Sequence, residues 1–181
     1  GVEIFRLDPE RATVFAFGGG TGAEIINHAV EGMVAEGCEL FQIIHVTGMQ
    51  RARPAVEHPH YHVFPFLTAE MAHAYATADV VVARAGFNTI TEIAACGKPA
   101  ILVPMRGSHQ VLNAVFAAEA GVARVMTEDA LTGESLLGVI REVLADQEAY
   151  QELSTAAAEL FPVDAAARIL KEITALCGIL T

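Results

Sequence analysis

The run from Ala78 to Ile93 constrains the fold more than any other part of the chain. A short β-branched stretch, Val80-Val81-Val82-Ala83, stops at Arg84-Ala85-Gly86 and passes directly into Asn88-Thr89-Ile90-Thr91-Glu92-Ile93, which has helical spacing and carries a carboxylate. A strand that turns through a glycine into a helix is the corner from which α/β proteins build ligand pockets. A second corner lies upstream, where Thr13-Val14-Phe15-Ala16-Phe17 runs into Gly18-Gly19-Gly20-Thr21-Gly22-Ala23 and then into helical spacing. Two such corners can face one ligand.

The remaining pattern extends this alternation. Apolar, β-branched runs at 12–17, 40–46, 61–66, 79–83, 99–103 and 122–126 predict strands, several of them apolar throughout, as in a parallel sheet covered on both faces. Helical spacing fills 22–36, 69–77, 88–96 and 109–120. Only helical patterns follow the last strand, at 133–145, 146–160 and 164–177, with Pro162 separating the last two. The expectation is an α/β fold, a Rossmann-like doubly wound parallel sheet of about six strands with a helical C-terminal tail. In the strand order 3-2-1-4-5-6, strands 1 and 4 are neighbours at the switch point, so both glycine corners open on one crevice. The segment Thr47–His60, with Gly48, Pro54 and Pro59, reads as loop with one helical turn at most.

Composition narrows the function. The 181 residues suit one domain, and 53% apolar content supports a substantial core. A net charge of −11, with only Arg51-Ala52-Arg53 locally basic, argues against nucleic acid or anionic lipid as a non-specific partner. The uncharged stretch Gly107–Ala118 is far shorter than the roughly 20 apolar residues of a membrane span. Cys38, Cys96 and Cys177 are odd in number and set among apolar residues, which predicts buried, reduced thiols. Phe5-Arg6-Leu7-Asp8-Pro9-Glu10 reads as a lead-in from a preceding domain, leaving 1–181 as a single ligand-binding unit.

The loops limit the chemistry. Gly18, Gly20 and Ala23 fit G-x-G-x-x-G/A, but the second strand ends His45-Val46-Thr47-Gly48, without the acidic residue that a dinucleotide site places there. The glycine loop therefore suits a diphosphate at a helix N-terminus, or merely allows close packing of helix on strand. Thr89 and Glu92 have capping-box spacing; alternatively, Glu92 accepts hydrogen bonds from a ribose diol. Gln110 and Asn113, three apart, point along one helix face either toward sugar hydroxyls or into solvent behind a Ser108 cap. His58, His60 and His62 would share one face if extended, a ligand set for zinc, but solvated surface imidazoles explain them better and no metal or other cofactor is expected. His28, His45 and His73 are expected to pack rather than catalyse, and His109 lies near the crevice.

Taken together, Leu7-Asp8-Pro9, Phe17–Ala23, Met71-Ala72-His73-Ala74-Tyr75, Ala78–Ile93 and Gln110-Val111-Leu112-Asn113-Ala114 resemble, in order and spacing, the C-terminal half of the MurG-like glycosyltransferases of peptidoglycan synthesis. The resemblance implies the C-terminal half of a GT-B fold that binds UDP-N-acetylglucosamine. Such an enzyme passes the sugar, with inversion and without a metal, to a lipid-linked muramyl-peptide acceptor. It implies Gly18, Gly19, Gly20, Thr21 and Gly22 at the diphosphate, Phe66-Leu67 at uracil and Glu92 at the ribose. The turn Phe87-Asn88-Thr89, after Gly86 as a further binding residue, falls near the phosphates, Gln110 and Asn113 at the sugar, and Arg84 beside the loop, as helper or brace. The acceptor pocket and general base then belong to an N-terminal half, and the intact enzyme is cytoplasmic, peripheral on the inner face of the membrane. This chain departs from the family pattern at Gly20-Thr21, at Asn88, and in the short Met105–Gln110 loop.

Three alternatives stay open: a UDP-sugar transferase with another acceptor, a UDP-N-acetylglucosamine 2-epimerase, and a non-enzymatic nucleotide-binding subunit. The epimerase would need paired carboxylates in the cleft, where Glu92 is the obvious one.

Overall fold

Six short strands lie side by side and parallel in the order β3-β2-β1-β4-β5-β6. They are β1 (Thr13–Phe17), β2 (Gln42–Val46), β3 (Tyr61–Phe64), β4 (Val80–Ala83), β5 (Ala100–Leu102) and β6 (Arg124–Val125). This computed structural model describes residues 1–19, 23–49, 56–146, 151–152, 154–156 and 164–177. The order is the one expected from the sequence, with β1 pairing β2 through Thr13↔Gln42 and β4 through Val14↔Val80. Residues of β1, β2, β4 and β5 are all buried. That explains why they read as continuous apolar runs rather than alternations. The outer strands are shorter than expected: β3 stops before Pro65, which has no N–H to donate to a ladder.

Helices cover both faces. They are α1 (Val2–Phe5), α2 (Glu24–Leu40), α3 (Met71–Thr77), α4 (Phe87–Ala95), α5 (Gln110–Glu119), α6 (Gly133–Ala145) and α7 (Ala165–Leu176), with a 3-10 turn at Glu128–Ala130. Because side chains alternate along a strand, β1 sends Phe15 and Phe17 to one core and Val14 and Ala16 to the other. The first core joins Ile44, Val81 and Leu102 to Tyr75 of α3, Ile90 and Ile93 of α4, and Ala114 and Ala117 of α5. The second joins Ile43, Val82 and Ile101 to Ile26, Val30 and Met33 of α2 and Leu136 and Ile140 of α6. Each fully buried large side chain contributes about 1.5–3 kcal/mol.

Helix α2 runs four residues beyond its expected end at 36, and the N-terminal α1 had no sequence signal of its own. The stretch before β1 is bound to the sheet. Phe5 and Leu7 are in the core, and Gln42 clamps Asp8 by accepting from its N–H at 2.9 Å and donating to its carbonyl at 2.8 Å. Residues 151–152 and 154–156 are helical, whereas Pro162 and most of the expected helix 146–160 lie outside the described residues, as does Arg51-Ala52-Arg53. Helix α7 buries none of its side chains.

Two expectations about side-chain placement are corrected. Cys38 is buried, and burial pushes its thiol up to about 11, but Cys96 and Cys177 are exposed. His28 and His73 are likewise exposed, His28 pairing with Glu24 one helical turn away at 3.2 Å. His45 does pack: its ring bridges the Tyr61 hydroxyl at 2.7 Å and Asn27 Oδ1 at 2.9 Å.

Candidate functional site

A cavity of about 280 Å³ opens at the carboxyl ends of β1 and β2, lined by Phe17, Gly19, Val46, Phe66, Leu67, Met71, Thr89 and Glu92. It lies where the strand order reverses, the position at which doubly wound sheets take ligands. Phe17, Val46, Leu67 and Met71 supply apolar lining, while Thr89 and Glu92 supply the polar side. Gly19 sits in the left-handed region at φ 86°, and a Cβ there would meet nothing within 4 Å. Glycine is thus required by the turn and leaves the mouth of the cavity unobstructed. Gly18 precedes it at the end of β1, and Gly20, Thr21 and Gly22 lie outside the described residues.

Several expected residues are brought together here. Phe66 is 47% exposed and Leu67 is buried, so the pair offers one ring edge to solvent and one anchor in the core. Thr89 and Glu92 project from the first turns of α4. The capping-box reading fails: α4 starts earlier, at Phe87, and its N-cap is Gly86, which has no side chain to cap with. Thr89 is therefore inside the helix, and Glu92 is one turn too far along to reach the cap. Glu92 Oε2 instead accepts a hydrogen bond from the Tyr75 hydroxyl at 2.9 Å. The N-terminus of α4 follows Gly86 at the carboxyl end of β4, and the exposed Asn88 occupies its first turn.

The other expected residues brace the rim and do not line the cavity. Arg84 donates to Glu128 Oε1 at 2.7 Å and to the Val103 carbonyl at 3.2 Å. The Arg84 hydrogen bond holds the Glu128 carboxyl below its usual range. Asn113 Nδ2 donates to the Ala85 carbonyl at 3.0 Å, tying α5 to the loop after β4. Gln110 Oε1 accepts from the Met105 N–H at 3.1 Å, closing its own short loop. Ser108 Oγ accepts from the Gln110 N–H at 3.2 Å, although the formal N-cap of α5 is His109. Among the described residues no three or more His, Cys, Asp or Glu side chains converge as a metal site. His58 approaches Glu39 at 3.9 Å, while burial and nearby His60 lower the pKa of His62.

Two residues central to this geometry were not singled out from the sequence. Tyr75 belongs to a motif used only for resemblance, and Glu128 follows the last strand in a segment with no glycine signature. Their partners are far away in sequence, so local spacing carried no sign of either contact.

The parallel sheet, its two glycine corners and the cavity between them define a Rossmann-like, doubly wound α/β domain. Residues 13–169 match the model of the glycosyltransferase family 28 C-terminal domain, and the chain belongs to this family. It is 37% identical over 158 residues, 86% of this chain and 44% of the relative, to the UDP-N-acetylglucosamine–N-acetylmuramyl-(pentapeptide) pyrophosphoryl-undecaprenol N-acetylglucosamine transferase of Corynebacterium glutamicum strain R. The chain spans about half the length of the curated relatives it matches. The crystal structure of Acinetobacter baumannii MurG superposes with a TM-score of 0.76 at 25% identity, over 95% of this chain and 52% of that one. A calicheamicin glycosyltransferase superposes at 0.80 with 16% identity, over 96% of this chain and 44% of that one, a likeness of fold alone.

Proposed function

We propose that residues 1–181 form the donor-binding unit of an inverting glycosyltransferase that moves N-acetylglucosamine from UDP-N-acetylglucosamine to a lipid-linked muramyl-peptide acceptor. The observation that carries this reading is the cavity itself, which joins Gly19, Phe66, Leu67, Thr89 and Glu92 at the switch point. In this reading Phe66 and Leu67 hold uracil and Glu92 accepts from the ribose hydroxyls. The glycine loop 18–22 and the first turn of α4 at Gly86, Asn88 and Thr89 receive the diphosphate. Those backbone N–H groups stabilise the negative charge that develops on UDP as the glycosidic bond breaks.

Arg84 acts as the brace of the loop, through its contacts with Glu128 and the Val103 carbonyl. Gln110 and Asn113 present the sugar with the amide atoms that their loop contacts leave over, Gln110 Nε2 and Asn113 Oδ1. We place the acceptor pocket and the general base outside these residues. The intact enzyme is then peripheral on the inner face of the membrane; among the described residues no helix is long and apolar enough to cross one. Epimerase chemistry is less well supported, because Glu92 is the one carboxylate among the residues that line the cavity.

Calorimetric titration of the chain with UDP, ADP and GDP tests the reading. UDP is expected to bind with clear preference, and equal binding of the three nucleotides, or none of UDP, would overturn it.

A further inference from the structure

We propose that Tyr75 is a positioning residue that holds the Glu92 carboxylate in the orientation needed to read the ribose 2′- and 3′-hydroxyls; this rests on the donor-site reading above.

Tyr75 is 4% exposed, and its ring is held by two aromatic neighbours. It stands edge-on to Phe15 at 5.4 Å and to Phe17 at 5.9 Å, and those two rings stack on each other at 4.8 Å. Phe17 also lines the cavity, so the ring that holds Tyr75 is part of the site's own wall. From this fixed base the hydroxyl donates to Glu92 Oε2 at 2.9 Å. Glu92 itself is exposed and has a long side chain, so an unrestrained carboxylate would sample many rotamers before meeting a diol. The tyrosine occupies one oxygen and leaves Oε1 for the ligand, which lowers the ordering cost of binding. Burial first, and then the Glu92 hydrogen bond and charge, push the Tyr75 pKa far up, so the phenol keeps its proton and stays a donor.

Tyr75→Phe keeps the ring and removes only the hydroxyl. Titrations with UDP and with 2′-deoxyuridine diphosphate read the effect, on the wild type, Tyr75→Phe, Glu92→Gln and the double variant. The wild type is expected to favour UDP. Tyr75→Phe is expected to weaken UDP about three- to tenfold, with a smaller loss for the deoxy analogue, because a mispositioned acceptor loses mainly the 2′-hydroxyl contact. In the Glu92→Gln background the tyrosine change is expected to add little, the non-additivity of residues acting as one unit. An unchanged ratio of the two affinities in Tyr75→Phe, even with a lowered melting temperature, would overturn the proposal and leave Tyr75 a packing residue. Additive losses in the double variant would overturn it too. Failure of the wild type to bind UDP would overturn the donor-site reading itself, a separate result.

Discussion

The Arg84 guanidinium and the Glu128 carboxylate meet at 2.7 Å, with side chains only 14% and 19% exposed, and fasten the loop after β4 to the turn after β6. Glu128 also accepts from the Arg106 N–H at 3.2 Å, so a single carboxylate gathers the carboxyl-end loops of β4, β5 and β6. The rim that carries Gly86 and Asn113 is thereby held by a residue outside the cavity.

Glu128→Gln is expected to destabilise the chain by about 1.5–3 kcal/mol, the worth of hydrogen bonds to a charged group. Because the native Glu128 carboxyl titrates below its ordinary value of 4.5, its contribution is fully present above that value. It is lost as pH falls through the lower native value. Urea unfolding of both proteins from pH 7 to pH 3 checks this. The stability gap should be constant above about pH 5 and should close toward pH 3; a gap that widens in acid would contradict the assigned pair.

Glu92→Gln is expected to weaken UDP by about 1.5–3 kcal/mol, since each charge-assisted bond to the ribose is of that order. Thermal stability should change little, because Glu92 is exposed and α4 draws no cap from this side chain. Calorimetry beside a thermal melt separates the two effects. A large drop in melting temperature at unchanged affinity would restore the capping role that spacing alone suggested.

The sheet order was legible from the sequence because buried parallel strands write themselves as unbroken apolar runs, and Val80–Ala83 and Thr13–Phe17 both end at glycine corners. Element ends were less legible. Thr89-Ile90-Thr91-Glu92 has the letters of a capping box, but a helix can begin at any residue that tertiary packing favours. Burial of Ile90, Ile93 and Ala94 against the sheet starts α4 at Phe87. Cys96 shows the same limit: it sits at the end of an amphipathic helix, where one position decides between core and solvent. The contacts Tyr75 to Glu92 and Arg84 to Glu128 join separate elements, and no local period reports them.

Gly133→Ala is expected to cost about 1–3 kcal/mol by overpacking. A Cβ at Gly133 would lie 2.5 Å from the Gly32 carbonyl carbon and 2.8 Å from its oxygen, where α6 crosses α2 backbone to backbone. Neither atom is the end of a flexible side chain, so one helix must shift. The lowered midpoint should appear in urea unfolding; a midpoint raised by alanine's better helix propensity would show that the crossing can open freely.

The chain is expected to bind donor without transferring sugar. Transfer requires an acceptor hydroxyl that is both positioned and deprotonated opposite the donor. The cavity offers one carboxylate, Glu92, already engaged by Tyr75. A radiolabelled UDP-N-acetylglucosamine assay with lipid-linked acceptor decides it, and turnover by residues 1–181 alone would place the base among them.

In the proposed donor site, sugar choice depends on what Gln110 and Asn113 have left to offer. Gln110 uses one lone pair of its oxygen on the Met105 N–H and Asn113 one N–H on the Ala85 carbonyl, so Gln110 Nε2 and Asn113 Oδ1 are presented from a rim held by both contacts. A pair fixed in this way reads the geometry of adjacent hydroxyls, and an epimer that leaves an amide unpaired pays for an orphaned polar group at about 1–3 kcal/mol. UDP-N-acetylgalactosamine, inverted at the 4-position, should therefore bind more weakly than UDP-N-acetylglucosamine. Gln110→Ala should bring the two affinities together while leaving UDP itself nearly unchanged, because neither amide lines the cavity assigned to the nucleoside. Competition of both nucleotide sugars against bound UDP measures this in the wild type and the variant. Equal affinities in the wild type would remove Gln110 and Asn113 from sugar recognition and leave them as braces of the Met105–Gln110 loop and the turn at Ala85.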